Sequence, residues 1–111
     1  MKYIRTKNRI YETEGTFLDN NGKWKYYNIL EDDMAIILRS QVIKQSDTIE
    51  ELCDRYVVMD KETKEVISIV SFLAYAKLWA SCKYNIYGAI WTDKGLIFVA
   101  KMDSEGKFEL I

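Results

Sequence analysis

The chain has 111 residues, 49% of them hydrophobic and 14% aromatic, with 16 basic against 17 acidic side chains, two cysteines, no histidine and no proline. With no imidazole and only Cys53 and Cys82 as thiols, a closed four-ligand zinc site of soft ligands is excluded within one chain, and acid–base catalysis lacks its commonest side chain. The net charge of −1 gives no general attraction to nucleic acid or to an anionic membrane.

Repeats, low-complexity tracts and linker-like runs are absent, so residues 1–111 are read as a single α+β domain. Its length is enough for a cooperative core without a metal or disulfide staple. The opening Met1-Lys2-Tyr3-Ile4-Arg5 lacks the apolar core of a secretory signal, and two cysteines far apart fit a reducing compartment, so a cytoplasmic location is expected.

Tyr3 to Arg5 and Ile10 to Glu12 read as a short hairpin turning at Lys7-Asn8. Phe17-Leu18 and Trp24 to Leu30 flank Asn21-Gly22, a pair suited to the positive φ angles of a tight hairpin turn. After the polar break Glu31-Asp32-Asp33, the apolar run Met34 to Leu38 reads as a buried strand. At Ser46-Asp47-Thr48 the pattern changes. Asp47 or Thr48 caps a helix of about two turns, with Glu50 or Glu51 completing a capping box and Ile49, Leu52, Cys53 and Tyr56 on one stripe.

Tyr56 to Met59 returns to strand and turns through residues 60–64 into the strand Val66 to Val70. Ser71 caps a second helix, Phe72 to about Ser81, apolar nearly all round and therefore expected to be buried on most faces. Val66 to Cys82 is too short for a membrane span, which needs about 20 apolar residues, and it carries Lys77. The C-terminal third is a meander of Ile86 to Thr92, Leu96 to Met102 and Lys107 to Ile111, with glycine-containing turns at residues 93–95 and 103–106. Leu96 to Met102 is apolar on both sides and is expected to be central, covered by helix. The expected fold is a curved antiparallel sheet or small open barrel with two short helices packed on it.

The stretches KYIRTKNRIYE (residues 2–12), VIKQSDTIEELCDRYVVMD (42–60) and YGAIWTDKGLIFVAKMDSEGKFEL (87–110) resemble small uncharacterised proteins of phages and prophages of Gram-positive bacteria. The resemblance covers roughly half the chain and leaves out residues 64–83. It carries no established activity and hence no site residue. What it implies is an intracellular accessory protein of a phage or prophage.

Cys53 lies on an apolar stripe with no histidine to take its proton, so it reads as structural, as does Cys82. Glu31, Asp32 and Asp33 with Asp47, Glu50, Glu51 and Asp54 supply carboxylates for a hard cation, but helix-end complementation and a solvated turn account for most of them. No metal site, cofactor or catalytic residue is therefore assigned.

Two binding candidates remain. Lys2, Arg5, Lys7 and Arg9 precede any acid and, with Tyr3 and Tyr11, suit weak contact with phosphates and exposed bases. The simpler account of the same charges is that they keep an edge strand soluble and unpaired. Strand alternation turns Tyr27, Tyr87 and Trp91 outward, where large rings mark a protein-binding surface or the seat of the second helix. The leading expectation is a non-enzymatic protein–protein interaction module that engages a host or phage protein, or itself as a homodimer. Weak nucleic-acid binding is the alternative, and no membrane partner is expected.

Overall fold

The structure, a computed structural model, describes residues 3–14, 16–18, 25–30 and 32–111, and for residues 16–18, 25, 26, 28 and 32–36 the backbone alone. The chain forms two compact units, Met1–Leu52 and Cys53–Ile111. The described residues are mostly strand, with one short α-helix and two single 3₁₀ turns, at Arg39–Gln41 and Glu50–Leu52. The fold is thus mainly β, and the expected α+β arrangement of two helices packed on one curved sheet or small open barrel is corrected.

The first unit holds two antiparallel three-stranded sheets. One is ordered β2-β1-β6, from β1 (Tyr3–Arg5), β2 (Ile10–Glu12) and β6 (Lys44–Ser46). The other is ordered β3-β4-β5, from β3 (Thr16–Leu18), β4 (Lys25–Ile29) and β5 (Asp32–Leu38). The hairpin at Lys7-Asn8 closes through the Thr6 amide donating to the Arg9 carbonyl at 2.9 Å. The Asn21-Gly22 turn lies outside the described residues. Ile4 of β1 packs with Tyr27 and Ile29 of β4, and Tyr11, Ile37 and Val42 close around them, so one core draws on both sheets.

The second unit is one antiparallel sheet ordered β11-β10-β9-β7-β8. Its strands are β7 (Arg55–Asp60), β8 (Val66–Val70), β9 (Tyr84–Thr92), β10 (Gly95–Met102) and β11 (Phe108–Leu110). The helix α1 (Leu73–Lys77) packs on β7 and β8 while carrying the chain from the sheet edge back to β9. Val57 and Val58 are consecutive on β7 and both fully buried, so β7 is covered on both faces. β10 lies within the sheet, but the helix covers β7 and β8 and leaves Ile97 and Phe98 exposed.

Neither expected helix forms at its predicted length. Between residues 47 and 56 the chain makes one 3₁₀ turn, with the Leu52 amide on the Ile49 carbonyl at 2.9 Å. One turn already buries Ile49 and Leu52. Helix nucleation is unfavourable until several residues propagate it, and β7 takes the residues from Arg55 onward into the sheet. The chain is fixed there by Asp54, whose amide donates to the Ala89 carbonyl (2.9 Å) and whose Oδ2 accepts from the Trp91 amide (2.8 Å).

The second helix shrinks to five residues. Phe72 rather than Ser71 stands at its N-cap, without a side-chain hydrogen bond, and the Trp79 and Ala80 amides tighten onto the Ala76 and Lys77 carbonyls. Of α1 itself only Ala76 is fully buried. The expected burial on most faces is therefore corrected as well.

Gly88 on β9 marks a close approach. A Cβ built there would stand 2.5 Å from the Cys53 Sγ, so the glycine is what lets the half-buried thiol lie against the strand. Gly88→Ala should destabilise the fold by about 1–3 kcal/mol through overpacking. Adding Cys53→Ala, which removes the clashing sulfur, should recover part of that loss. A double-mutant cycle by urea unfolding reads the coupling, and strictly additive effects would contradict the contact.

Candidate functional site

Sheet edges differ in how they are protected. β11 is three residues long, carries Glu109 and begins at the buried Phe108, next to Lys107. Short, charged edges of this kind resist pairing with other chains. β8 is longer and lacks the charge: it reads Val66-Ile67-Ser68-Ile69-Val70, among the described residues no strand pairs with its outer side, and its one irregularity lies at the Val66 end.

On its inner side β8 is held by β7, with Tyr56 opposite Val70, Val57 opposite Ile69 and Val58 opposite Ser68. An irregularity between Val58 and Met59 then brings Met59 opposite Val66. The connecting turn is fixed by Asp60, whose Oδ1 accepts from the Glu62 amide at 2.8 Å and the Thr63 amide at 3.0 Å. Lys64 closes it at φ 63°, a left-handed position. The Thr63 and Glu62 amides, with Lys83 adding a smaller pull, hold the Asp60 carboxyl below the usual carboxylate range.

Beyond β8 the exposed apolar surface continues. Phe72 is 66% exposed and Leu78 82%. Tyr75 is also exposed and meets the Phe72 ring edge-on at 6.0 Å, while the exposed Trp79 meets Tyr84 edge-on at 5.5 Å. Over residues 66–79 seven large apolar side chains are exposed, namely Val66, Ile67, Ile69, Phe72, Tyr75, Leu78 and Trp79. Lys77 is the only charge in that stretch. So many exposed large apolar side chains with one charge among them make residues 66–79 the candidate contact surface.

The three rings expected to face outward separate. Tyr27 is fully buried, at 0% exposure, in the core of the first unit. Its hydroxyl donates to Gln45 Oε1 at 2.8 Å and accepts from Arg39 Nη1 at 3.3 Å. Alternation fixed its side of the strand relative to its neighbours but not which side the second sheet would cover. In the second unit Ile86 and Ile90 are buried, and Tyr87 and Trp91 lie on the other face of β9. Tyr87 is half-buried, stacked on Phe98 at 4.9 Å with Lys101 above its ring, and Trp91 is 52% exposed.

The basic candidates that the structure describes differ in exposure. Lys2 lies outside the described residues, and Arg5 is half-buried with Nη1 on the Leu52 carbonyl. Lys7 and Arg9 are exposed near the turn, Arg9 lying over the Tyr11 ring at 5.2 Å. Of the carboxylates, the side chains of Glu31, Asp32 and Asp33 lie outside the described residues. Glu51 accepts from the Ser46 hydroxyl, and among the described residues no three acids or thiols are grouped as metal ligands. No disulfide joins Cys53 to Cys82. No helix among the described residues is long and apolar enough to cross a membrane.

No family model, curated protein or solved structure matches this chain.

The β8 margin is obscured in the sequence because residues 72–81 carry the pattern of a buried helix. The usable signal was there: a five-residue β-branched strand with no charge in it, followed by aromatics at unprotected positions.

Tyr27→Phe should cost about 0.5–1.5 kcal/mol, because it removes the hydroxyl that bonds Gln45 and Arg39, two exposed side chains that water can then satisfy. A stability unchanged by the substitution in chemical unfolding would contradict the contribution of these hydrogen bonds. Asp60→Ala should also destabilise. Its folded-state carboxyl titrates below the unfolded one, so the contribution is complete above the unfolded value and disappears as pH falls through the lowered folded value. Unfolding curves of both chains should therefore converge in strong acid, and a gap that widens on acidification would contradict the turn.

Proposed function

We propose that this protein acts by binding another protein chain through the uncharged margin of residues 66–79, as a non-enzymatic accessory module of the phage type its sequence resembles. The observation that carries the reading is the run of seven exposed large apolar side chains with a single charge among them. Burying such side chains contributes roughly 25 cal/mol per Å² removed from water. Aromatic rings among them are the residues that dominate interface energetics. The sheet beneath is braced by β7, buried on both faces, so β8 is presented on a rigid support.

Phe72 and Leu78 are the most exposed members and contribute little to the fold, so changing them separates binding from stability. Phe72→Asp combined with Leu78→Asp should leave the melting temperature close to that of the parent. The same variant should lower any protein association, with itself or another chain, by about tenfold or more in sedimentation and immobilised-protein capture. Association of equal strength in parent and variant, or none in the parent, would contradict the reading.

A further inference from the structure

The outer edge of β8 has a property beyond being apolar: its sequence is a palindrome, Val-Ile-Ser-Ile-Val, centred on Ser68. We propose that the occupant of this edge is β8 of a second copy, paired antiparallel about a two-fold axis at Ser68 so that the two sheets become one. The proposal rests on the reading of residues 66–79 as a protein-binding surface and names its partner.

The two-fold register places Ser68 opposite Ser68 and Ile67 opposite Ile69, and the irregularity at Val66 and Ile67 ends the regular pairing there. Each pair matches like chemistry with like, no charge enters the paired stretch, and each face of the joined sheet keeps its own residue set. The isoleucines extend the face on which Val57 is fully buried opposite Ile69, Ser68 and Val70 extend the face of Tyr56 and Val58, and Val66, opposite Met59 beyond the irregularity, falls on the isoleucine face. Lys64, in its left-handed conformation, turns the chain into β8, and the irregularity at the start of the strand bounds the regular pairing.

A few strand-to-strand main-chain hydrogen bonds then form on each side of the axis. At about 150–250 Å² per large ring and less for aliphatic residues, the exposed fractions in residues 66–79 leave roughly 700 Å² of apolar surface. That is close to the ~800 Å² per partner of a standard interface. Because β11 is short and carries Glu109, the other sheet edge does not propagate the pairing, and assembly closes at two copies.

The two-fold makes a register-specific test available. Opposed Cα atoms in an antiparallel pair stand about 4.5–5.5 Å apart, within the span of a disulfide. In the full chain carrying Cys82→Ser, Ser68→Cys should form a disulfide-linked dimer on mild oxidation. Ile67→Cys alone and Ile69→Cys alone should not, while an equal mixture of the two should cross-link.

Sedimentation velocity of the parent, from micromolar to submillimolar concentration, should show a monomer–dimer equilibrium. Ile67→Lys should weaken it by about tenfold or more without unfolding the chain, since it introduces a charge into the pair. A parent that stays monomeric overturns the proposal, as does a dimer in which Ser68→Cys fails to cross-link.

The two readings fail separately. A monomer whose capture of a different protein still depends on Phe72 and Leu78 removes the second copy but keeps the binding surface. A monomer whose associations ignore both residues removes both.

Discussion

Backbone amides and carbonyls at the edge of a sheet demand partners, and water supplies them only where side chains keep other strands away. In the Cys53–Ile111 unit this constraint is met at one edge and left open at the other. β11 is short and carries Glu109, while β8 presents an uncharged β-branched run beside the exposed Phe72 and Leu78. The internal strands explain why β8 is nevertheless held in place. β7 lies between β8 and β9 with Val57 and Val58 buried on opposite faces, so the edge is attached to a strand covered on both sides.

The local devices around β8 serve the same geometry. Asp60 satisfies two turn amides before the chain reverses, which fixes where β8 begins. Asp103 does the same before β11, accepting from the Glu105 and Lys107 amides, with Gly106 at φ 85° taking the left-handed position. At the Asp60 turn that position falls to Lys64, which has no such conformational freedom, and the difference makes this hairpin the more strained of the two. On the adjoining strand, Gly88 accepts Cys53 where any larger residue would collide. A thiol read from its spacing as structural is thus placed by packing, against a glycine that no periodicity argument singles out.

Strands were more legible in the sequence than helices, for a physical reason. Alternation and turn residues located both the Tyr3–Arg5 and Ile10–Glu12 hairpin and the C-terminal meander within a residue or two. These signals are local, since glycine and asparagine act at their own positions. The helices failed because helical spacing over one turn, as at Ile49 and Leu52, is equally served by a single 3₁₀ turn. At Phe72 to Ser81, good helix formers were outweighed by the absence of a side-chain cap and the need to return to β9. Tyr27 shows the same limit for function. Which face of a strand is covered depends on the second sheet, and its hydroxyl, bound to Gln45 and Arg39, belongs to a core.

The exposed margin was hidden by that same helix assignment, since a helix read as buried offers nothing to a partner. Once α1 is five residues long, the aromatics that were to form a core become surface, and the binding reading follows from exposure instead of alternation. The most direct test is amide hydrogen exchange across Val66–Val70, followed as a function of protein concentration. The account predicts that alternate amides on the outer edge exchange rapidly in dilute solution and become protected as concentration rises, while those bonded to β7 stay protected throughout. Outer-edge amides that exchange at the same rate at every concentration would contradict it.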